Sequence, residues 1–448
     1  MSPAGRSGAL PTSIPTWVGD RRSRTVTVFR RTVAPLALII STPPAVIALW
    51  IDITYLGGSL RRLATAEGVA AVRQHFPRPT AFAVAAVTIF VLFEAALLVL
   101  LPARQHEGPL TPSGVRPRYR LNGLPAWLVT HATFFAAAGL GWFPPSVLYD
   151  HFGDLVVTLC LFALAFCVLL YVKGRFAPST PDAGSSGNPI MDFFWGLELH
   201  PTVLGLNLKQ LVNCRVGMMG WSLTVLSFAA RQYEDLGRVS ASMAVCVTLQ
   251  IVYILKFFHW ERGYFASLDI THDRFGYYLC WGVTVWVPAF YTTAAQYLVK
   301  HPVGLRPAVA AALLVLGLAA IAVNYETDAQ RQRVRETGGA ALVWRRPARL
   351  IRAEYRTGDG VAHQSLLLVS GWWGLARHFH YVPEFIVALS WSLAAGFGSI
   401  VPYLYPIFLA VLLVDRAGRD DLRCATKYGR FWEEYRNAVR WRIVPFVY

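Results

Sequence analysis

The sequence predicts an all-α integral membrane protein of about ten transmembrane helices. Composition is the first sign: of 448 residues 55% are hydrophobic and only 15% charged, where a soluble domain carries about 25% charge. The second is a series of apolar runs near spanning length, which for a helix is about 20 residues. The third is charge placement, because a formal charge of +16 is gathered into a few basic clusters outside those runs.

The runs are Val33–Ile51, Thr80–Pro102, Leu124–Leu148, Asp154–Val172, Val216–Arg231, Ser240–Phe258, Tyr277–Leu298 and Val303–Val323. Tyr381–Val414 holds two more, split around Gly396–Gly398. Five arginines lie in Arg21–Arg31, eight arginines against two glutamates in Arg331–Arg356, and eight basic residues in Arg416–Arg442. Lys and Arg stay on the cytosolic side of a bilayer. An even number of spans then places both termini and the Tyr325–Gln364 insert in the cytosol. Such charge belongs to topology or to an anionic ligand, and nucleic acid is not an expected partner. The first thirty residues have no short apolar core before a cleavage site, so no signal peptide is expected.

The chain divides into a basic arm (1–32), four plain spans (33–176), a Pro/Gly/Ser-rich connector (177–195) with the composition of a flexible linker, and a region rich in polar groups (196–448). Cys160, Cys167, Cys214, Cys246, Cys280 and Cys424 lack CxxC spacing, and read as small apolar residues. No HExxH-like spacing supports a metal, and no GxSxG supports a serine nucleophile. No GxGxxG follows a strand, so a nucleotide would have to be held by side chains of a helical protein. Arginine suits that task, because its planar fork grips phosphate through paired charge-assisted bonds.

Charges inside a bilayer cost several kcal/mol, on the order of 3 on insertion scales, so each one needs a reason. Glu94 and His131 fall in the first half; Lys256, His259, Glu261, Asp269, His272, Asp273 and Glu384 fall in the second. These groups suggest a polar cavity enclosed by the second-half helices, with interfacial solvation as the alternative.

Several long strings then match a family. "LLLVSGWWGLARHFHYVPE" (Leu366–Glu384) and Leu412–Tyr448, with its "RDDLRCATKYG", resemble the sterol reductases, which saturate C7, C14 or C24 double bonds with NADPH. "VYILKFFHWERGYF", "LDITHDRFGYYLCWG", "GLELHP" and "LVNCRVGMMGW" fit the same pattern. The match is to the C7-reducing branch, in particular its plant-type members, and covers Gly196 to the end. It implies a ten-span protein with a cytosol-facing cofactor pocket in the C-terminal half. The activity implied is NADPH-dependent reduction of the C7–C8 bond of a 5,7-diene sterol in sterol biosynthesis, with C14 reduction or a silent sterol-binding member as alternatives. It also implies the endoplasmic reticulum in a eukaryote or the cytoplasmic membrane in a bacterium. The partners implied are a membrane-dissolved sterol, the bilayer and other sterol-biosynthesis enzymes.

By the same resemblance, Arg331 and Arg335 grip NADPH phosphates. Leu368, Trp373, His380, Tyr381, Asp420, Cys424, Ala425, Thr426, Lys427, Tyr428 and Tyr435 match cofactor positions. Tyr253 and Asp420 match positions of the proton-delivery network. Glu261, Asp269 and Asp273 are substrate-pocket candidates on burial cost alone. The sequence departs from the family pattern at Gly282–Thr284, Lys256, Val334 and Glu336. A membrane methyltransferase of the isoprenylcysteine type is the competing enzyme, but its cofactor has no phosphates for Arg331 and Arg335. A transporter leaves a cytosolic nucleotide site without purpose.

Overall fold

The computed structural model describes residues 27–448. The basic-arm residues Arg21, Arg22 and Arg24 lie outside them. Six helices among the described residues are long and apolar enough to cross a membrane: α1 (Phe29–Tyr55), α2 (Ala81–Leu100), α4 (Phe152–Phe176), α6 (Ala241–His259), α8 (Pro307–Glu336) and α10 (Val401–Tyr428). The other four expected runs are helical but shorter or interrupted. α3 is Gly123–Gly139 and α9 is Tyr381–Leu393. α5 (208–236) is π-wound over Leu211–Gly217. α7 (277–300) is π-wound over Gly282–Tyr291, around Pro288, and turns at Thr292. Proline has no N–H for the helical ladder, so an irregular winding at Pro288 is expected.

Local chemistry fixes the helix ends. The Thr80 and Ser240 side chains accept from the N–H groups of Ala83 and Met243, capping α2 and α6. Pro307 opens α8, where its missing N–H costs nothing. Gly237, at φ 66°, closes α5 in the left-handed conformation that glycine adopts without strain. Large apolar side chains stand outward on α2 and α4, among them Ile89, Leu92, Leu161 and Leu169. That outward surface suits lipid and would be a liability in water. α8 packs along α9 and α6, and α5 along α6.

The expectation of an all-helical chain needs one amendment. Among the described residues four two-stranded antiparallel hairpins occur: β1 (Arg104–Glu107) with β2 (Arg118–Leu121), β3 (Thr202–Val203) with β4 (Leu206–Asn207), β5 (Leu342–Val343) with β6 (Arg346–Pro347), and β7 (Leu350–Arg356) with β8 (Ala362–Leu368). The last has register Leu350↔Leu368 to Arg356↔Ala362. Its apolar face, with Ile351, Ala353 and Leu367, closes on Cys424, Tyr428, Trp432 and Tyr435 of α10 and α11 (Arg430–Ala438). An isolated hairpin is marginal in water, and this packing supplies the missing burial.

The connector 177–195 is held at several points despite its linker composition. The Asp182 carboxylate accepts from Ser113 N and Oγ at 2.9 and 2.7 Å. Arg274 Nη2 donates to the Asp182 carbonyl at 3.1 Å, and Ser179 N donates to Glu198 Oε1 at 2.6 Å. Buried partners outweigh the conformational freedom of a short Ser/Gly segment.

Candidate cofactor pocket

The C-terminal ends of α8 and α10, hairpin β7–β8 and the Trp372–Leu375 turn enclose a cavity of about 1710 Å³. Twelve Lys and Arg side chains line it against five Asp and Glu. That excess selects an anionic ligand. The α8 sequence explains part of the wall: apolar residues carry it to Val323, and the polar "NYETDAQRQRVRE" then continues the same helix beyond them.

Arg331 lies flat over the Trp373 ring, 4.0 Å from its centroid, and pairs with Asp328 at 3.2 Å. Trp373 is fixed from behind by its Nε1–H bond to the Thr327 carbonyl at 2.8 Å. Arg335 lines the cavity one turn further on, with no carboxylate partner among the described residues. Lys427 caps the Tyr355 ring at 3.9 Å, and Tyr428 donates to Ser365 Oγ at 3.3 Å. Leu368 is buried with Val334, Val343 and Trp373. Cys424, Thr426 and Tyr435 also reach the cavity, while Ala425 packs on the apolar side of the wall.

Asp420 lines the cavity and is clamped by Arg423 Nε and Nη2 at 2.9 and 2.6 Å. His378 Nε2 stands 3.9 Å from it. His380 packs tilted against Trp373 at 5.1 Å and against Tyr381 at 4.2 Å, and His378 lies parallel to Tyr381 at 5.3 Å. Burial pulls His378 down to about 4, helped by the neighbouring Arg377 and Arg331 and opposed by Asp420. Burial likewise takes His380 down to about 3. Burial thus favours the neutral form of both imidazoles, which pack against the neighbouring rings.

Tyr253 stands apart from the cavity, within an aromatic cluster formed with Trp221, Trp391, Tyr291 and Tyr405. The three burial-cost carboxylates also have partners. Glu261 meets Arg215 at 2.5 Å and accepts from Gly123 N at 3.0 Å. Asp273 meets Arg419 at 2.9 Å and His272 at 3.0 Å, and Asp269 pairs with Arg416. None of the three lines the cavity.

Sequence reasoning missed Arg423, the clamp on Asp420. It also missed a first-half contribution: Arg30, Arg31, Arg116 and the 106–112 segment line the cavity. The loop joining β1 to β2 reaches the β7–β8 turn, where Gly358 N donates to the Pro112 carbonyl at 2.8 Å. Its Arg- and Pro-rich string "RQHEGPLTPSGVRPRYR" was the available signal.

Gly371 opens the tryptophan turn at φ 64°, ψ −144°, where an added Cβ would sit 2.2 Å from Gln330 Oε1. That oxygen accepts from Trp372 N at 3.0 Å. Gly371→Ala is expected to cost about 1–3 kcal/mol through strain and to displace the tryptophan wall. Thermal unfolding of the detergent-solubilised protein measures this; an unchanged midpoint would refute it.

A sequence model of the ergosterol biosynthesis ERG4/ERG24 family matches residues 56–448. The chain belongs to that family. Among its ERG4/ERG24 relatives, a 7-dehydrocholesterol reductase of Arabidopsis thaliana is 46% identical over 417 residues, 92% of this chain and 96% of the relative. A Delta(14)-sterol reductase of Methylotuvimicrobium alcaliphilum is 38% identical over 413 residues, 92% and 94% of the two chains. A 7-dehydrocholesterol reductase of Xenopus laevis is 37% identical over 370 residues, 80% and 78%. The family match starts at residue 56, so it takes in most of the first four helices, beyond the second-half strings that carried the resemblance.

Proposed function

We propose that the chain is an NADPH-dependent sterol reductase that saturates the C7–C8 double bond of a 5,7-diene sterol. The observation that carries this reading is the 46% identity to a 7-dehydrocholesterol reductase over 92% of the chain. It is joined to a cavity whose lining is strongly cationic.

The cavity residues fit such a cofactor. Arg335 and Lys427 face the cavity without carboxylate partners among the described residues, and Arg331 is set flat by Trp373. These are the groups that would hold phosphates through charge-assisted bonds, Arg335 and Lys427 without breaking an ion pair among the described residues and Arg331 in exchange for its pair with Asp328. Trp373, Tyr428 and Tyr435 would offer flat faces to rings, and Leu368 the apolar floor. NADPH, when bound, supplies the hydride.

The chain must supply the rest. An alkene does not accept hydride until one of its carbons is protonated, so a proton donor has to meet the sterol away from bulk water. Tyr253 is placed for that part, inside an aromatic surround that suits a flat hydrocarbon. Asp420, clamped by Arg423 and close to His378, orients the cofactor side. Glu261, Asp269 and Asp273 remain substrate-side candidates by burial cost alone; their ion pairs favour a structural role. We read all ten helical segments as spans, with both termini cytosolic and, in a eukaryote, an endoplasmic reticulum location.

The test is sterol profiling of an ergosterol-making yeast with and without this chain. Loss of 5,7-dienes in favour of 7-saturated sterols is the expected outcome. An unchanged profile, with rescue of a C14-reductase-deficient strain, would replace the C7 assignment with C14 reduction.

A further inference from the structure

Four polar side chains meet deep between α6, α8 and α9. Tyr253 Oη donates to Glu384 Oε1 at 2.5 Å. Asn324 Nδ2 donates to Glu384 Oε2 at 3.0 Å and to the His380 carbonyl at 2.9 Å, while Lys256 bonds Asn324 Oδ1. Polar groups in a membrane helix bundle are costly unless they serve a purpose. This set has a direction. At one end is the aromatic cluster around Tyr253; at the other is His380, packed against the Trp373 wall of the cofactor pocket.

Resting on the sterol-reductase reading, we propose that Glu384 is the proton relay behind Tyr253. Asp420 is poorly suited to that task. Two N–H groups of Arg423 hold its carboxylate, and it lines the cofactor cavity, away from Tyr253. Among the described residues no cation bonds Glu384 directly; Lys256 bonds the Asn324 amide that lies between them.

The proton balance is simple. With Glu384 as carboxylate, Tyr253 donates to it; with Glu384 as carboxylic acid, the hydrogen bond reverses and the Tyr253 O–H is free to face the sterol. The phenol proton adds to one alkene carbon as a C–H bond. The hydride from the reduced nicotinamide completes the adjacent carbon. The phenolate takes the Glu384 proton, and Glu384 regains one from water. Glu384 touches no reacting carbon, so it is a positioning and relay residue.

The experiment uses the full chain in detergent, with a 5,7-diene sterol and NADPH. Glu384→Gln keeps the shape and loses the exchangeable proton. A fall in kcat on the order of 100-fold is expected, with the KM of the sterol and NADPH binding, read by fluorescence titration, unchanged. Glu384→Asp should recover part of the rate. The Tyr253→Phe, Glu384→Gln double variant should be no slower than Tyr253→Phe alone, because the two act as one unit. A purely structural Glu384 would instead lower the thermal midpoint and leave the solvent deuterium isotope effect unmoved; a relay raises that effect in Glu384→Gln. A Glu384→Gln protein with wild-type kcat overturns the proposal while the reductase reading stands. A wild-type protein that binds NADPH but reduces no sterol overturns both.

Discussion

Glu261→Ala should destabilise the folded protein by about 3–5 kcal/mol, the cost of stranding one partner of a buried ion pair. Arg215 is 0% exposed and Glu261 3%, so neither side chain can turn to water when its partner is lost. Arg215 keeps Asn122 Oδ1 at 2.8 Å and the Cys214 carbonyl at 3.1 Å, but these are dipoles without a compensating charge. Glu261 also receives Gly123 N at 3.0 Å at the start of α3. Its removal therefore frees the hinge between hairpin β1–β2 and that helix. Thermal unfolding in detergent should show a large drop in midpoint. An Arg215→Met, Glu261→Gln double variant should recover much of it, because no uncompensated charge is then left. If Glu261→Ala unfolds at the wild-type temperature, Glu261 is not the structural partner of Arg215 and its claim as a substrate-side group strengthens.

Arg335→Ala should raise the NADPH KM about 10–100-fold, the loss of one charge-assisted contact of 1.5–3 kcal/mol. Its side chain faces the cavity and breaks no ion pair among the described residues when removed. The expected effect is therefore confined to cofactor binding, with kcat at saturation and thermal stability kept. Arg331→Ala should cost more, because it also loses the stack on Trp373 at 4.0 Å. The Arg335 effect should shrink as ionic strength rises. Fluorescence titration with NADPH and with NADP⁺ tests both variants; an Arg335→Ala protein that binds as tightly as wild type would remove this residue from the phosphate site.

Much of the candidate site is legible in the string "SGWWGLARHFHY", but its geometry is not. Trp373 and Arg331 are 42 positions apart, and only the run of α8 past Val323 brings the guanidinium over the indole. His378 and His380 look like cations or ligands on paper. Burial among Tyr381 and Trp373 favours the neutral form of both. The connector 177–195 shows how composition can mislead, since Asp182 and Arg274, 92 positions apart, tie it down.

The sequence by itself determined the membrane class, the run of apolar segments, the basic clusters and the family strings. These follow from local properties: hydropathy summed over about 20 residues, and charge kept out of hydrocarbon. Tertiary structure alone decided which buried charges hold the fold and which face a cavity. Glu261 and Glu384 cost the same on a hydropathy scale. One meets an arginine, and the other meets a tyrosine and an amide, with no cation bonded to its carboxylate among the described residues. A buried carboxylate takes its role from the group packed against it, and that group here lies 46 positions away in one case and 131 in the other.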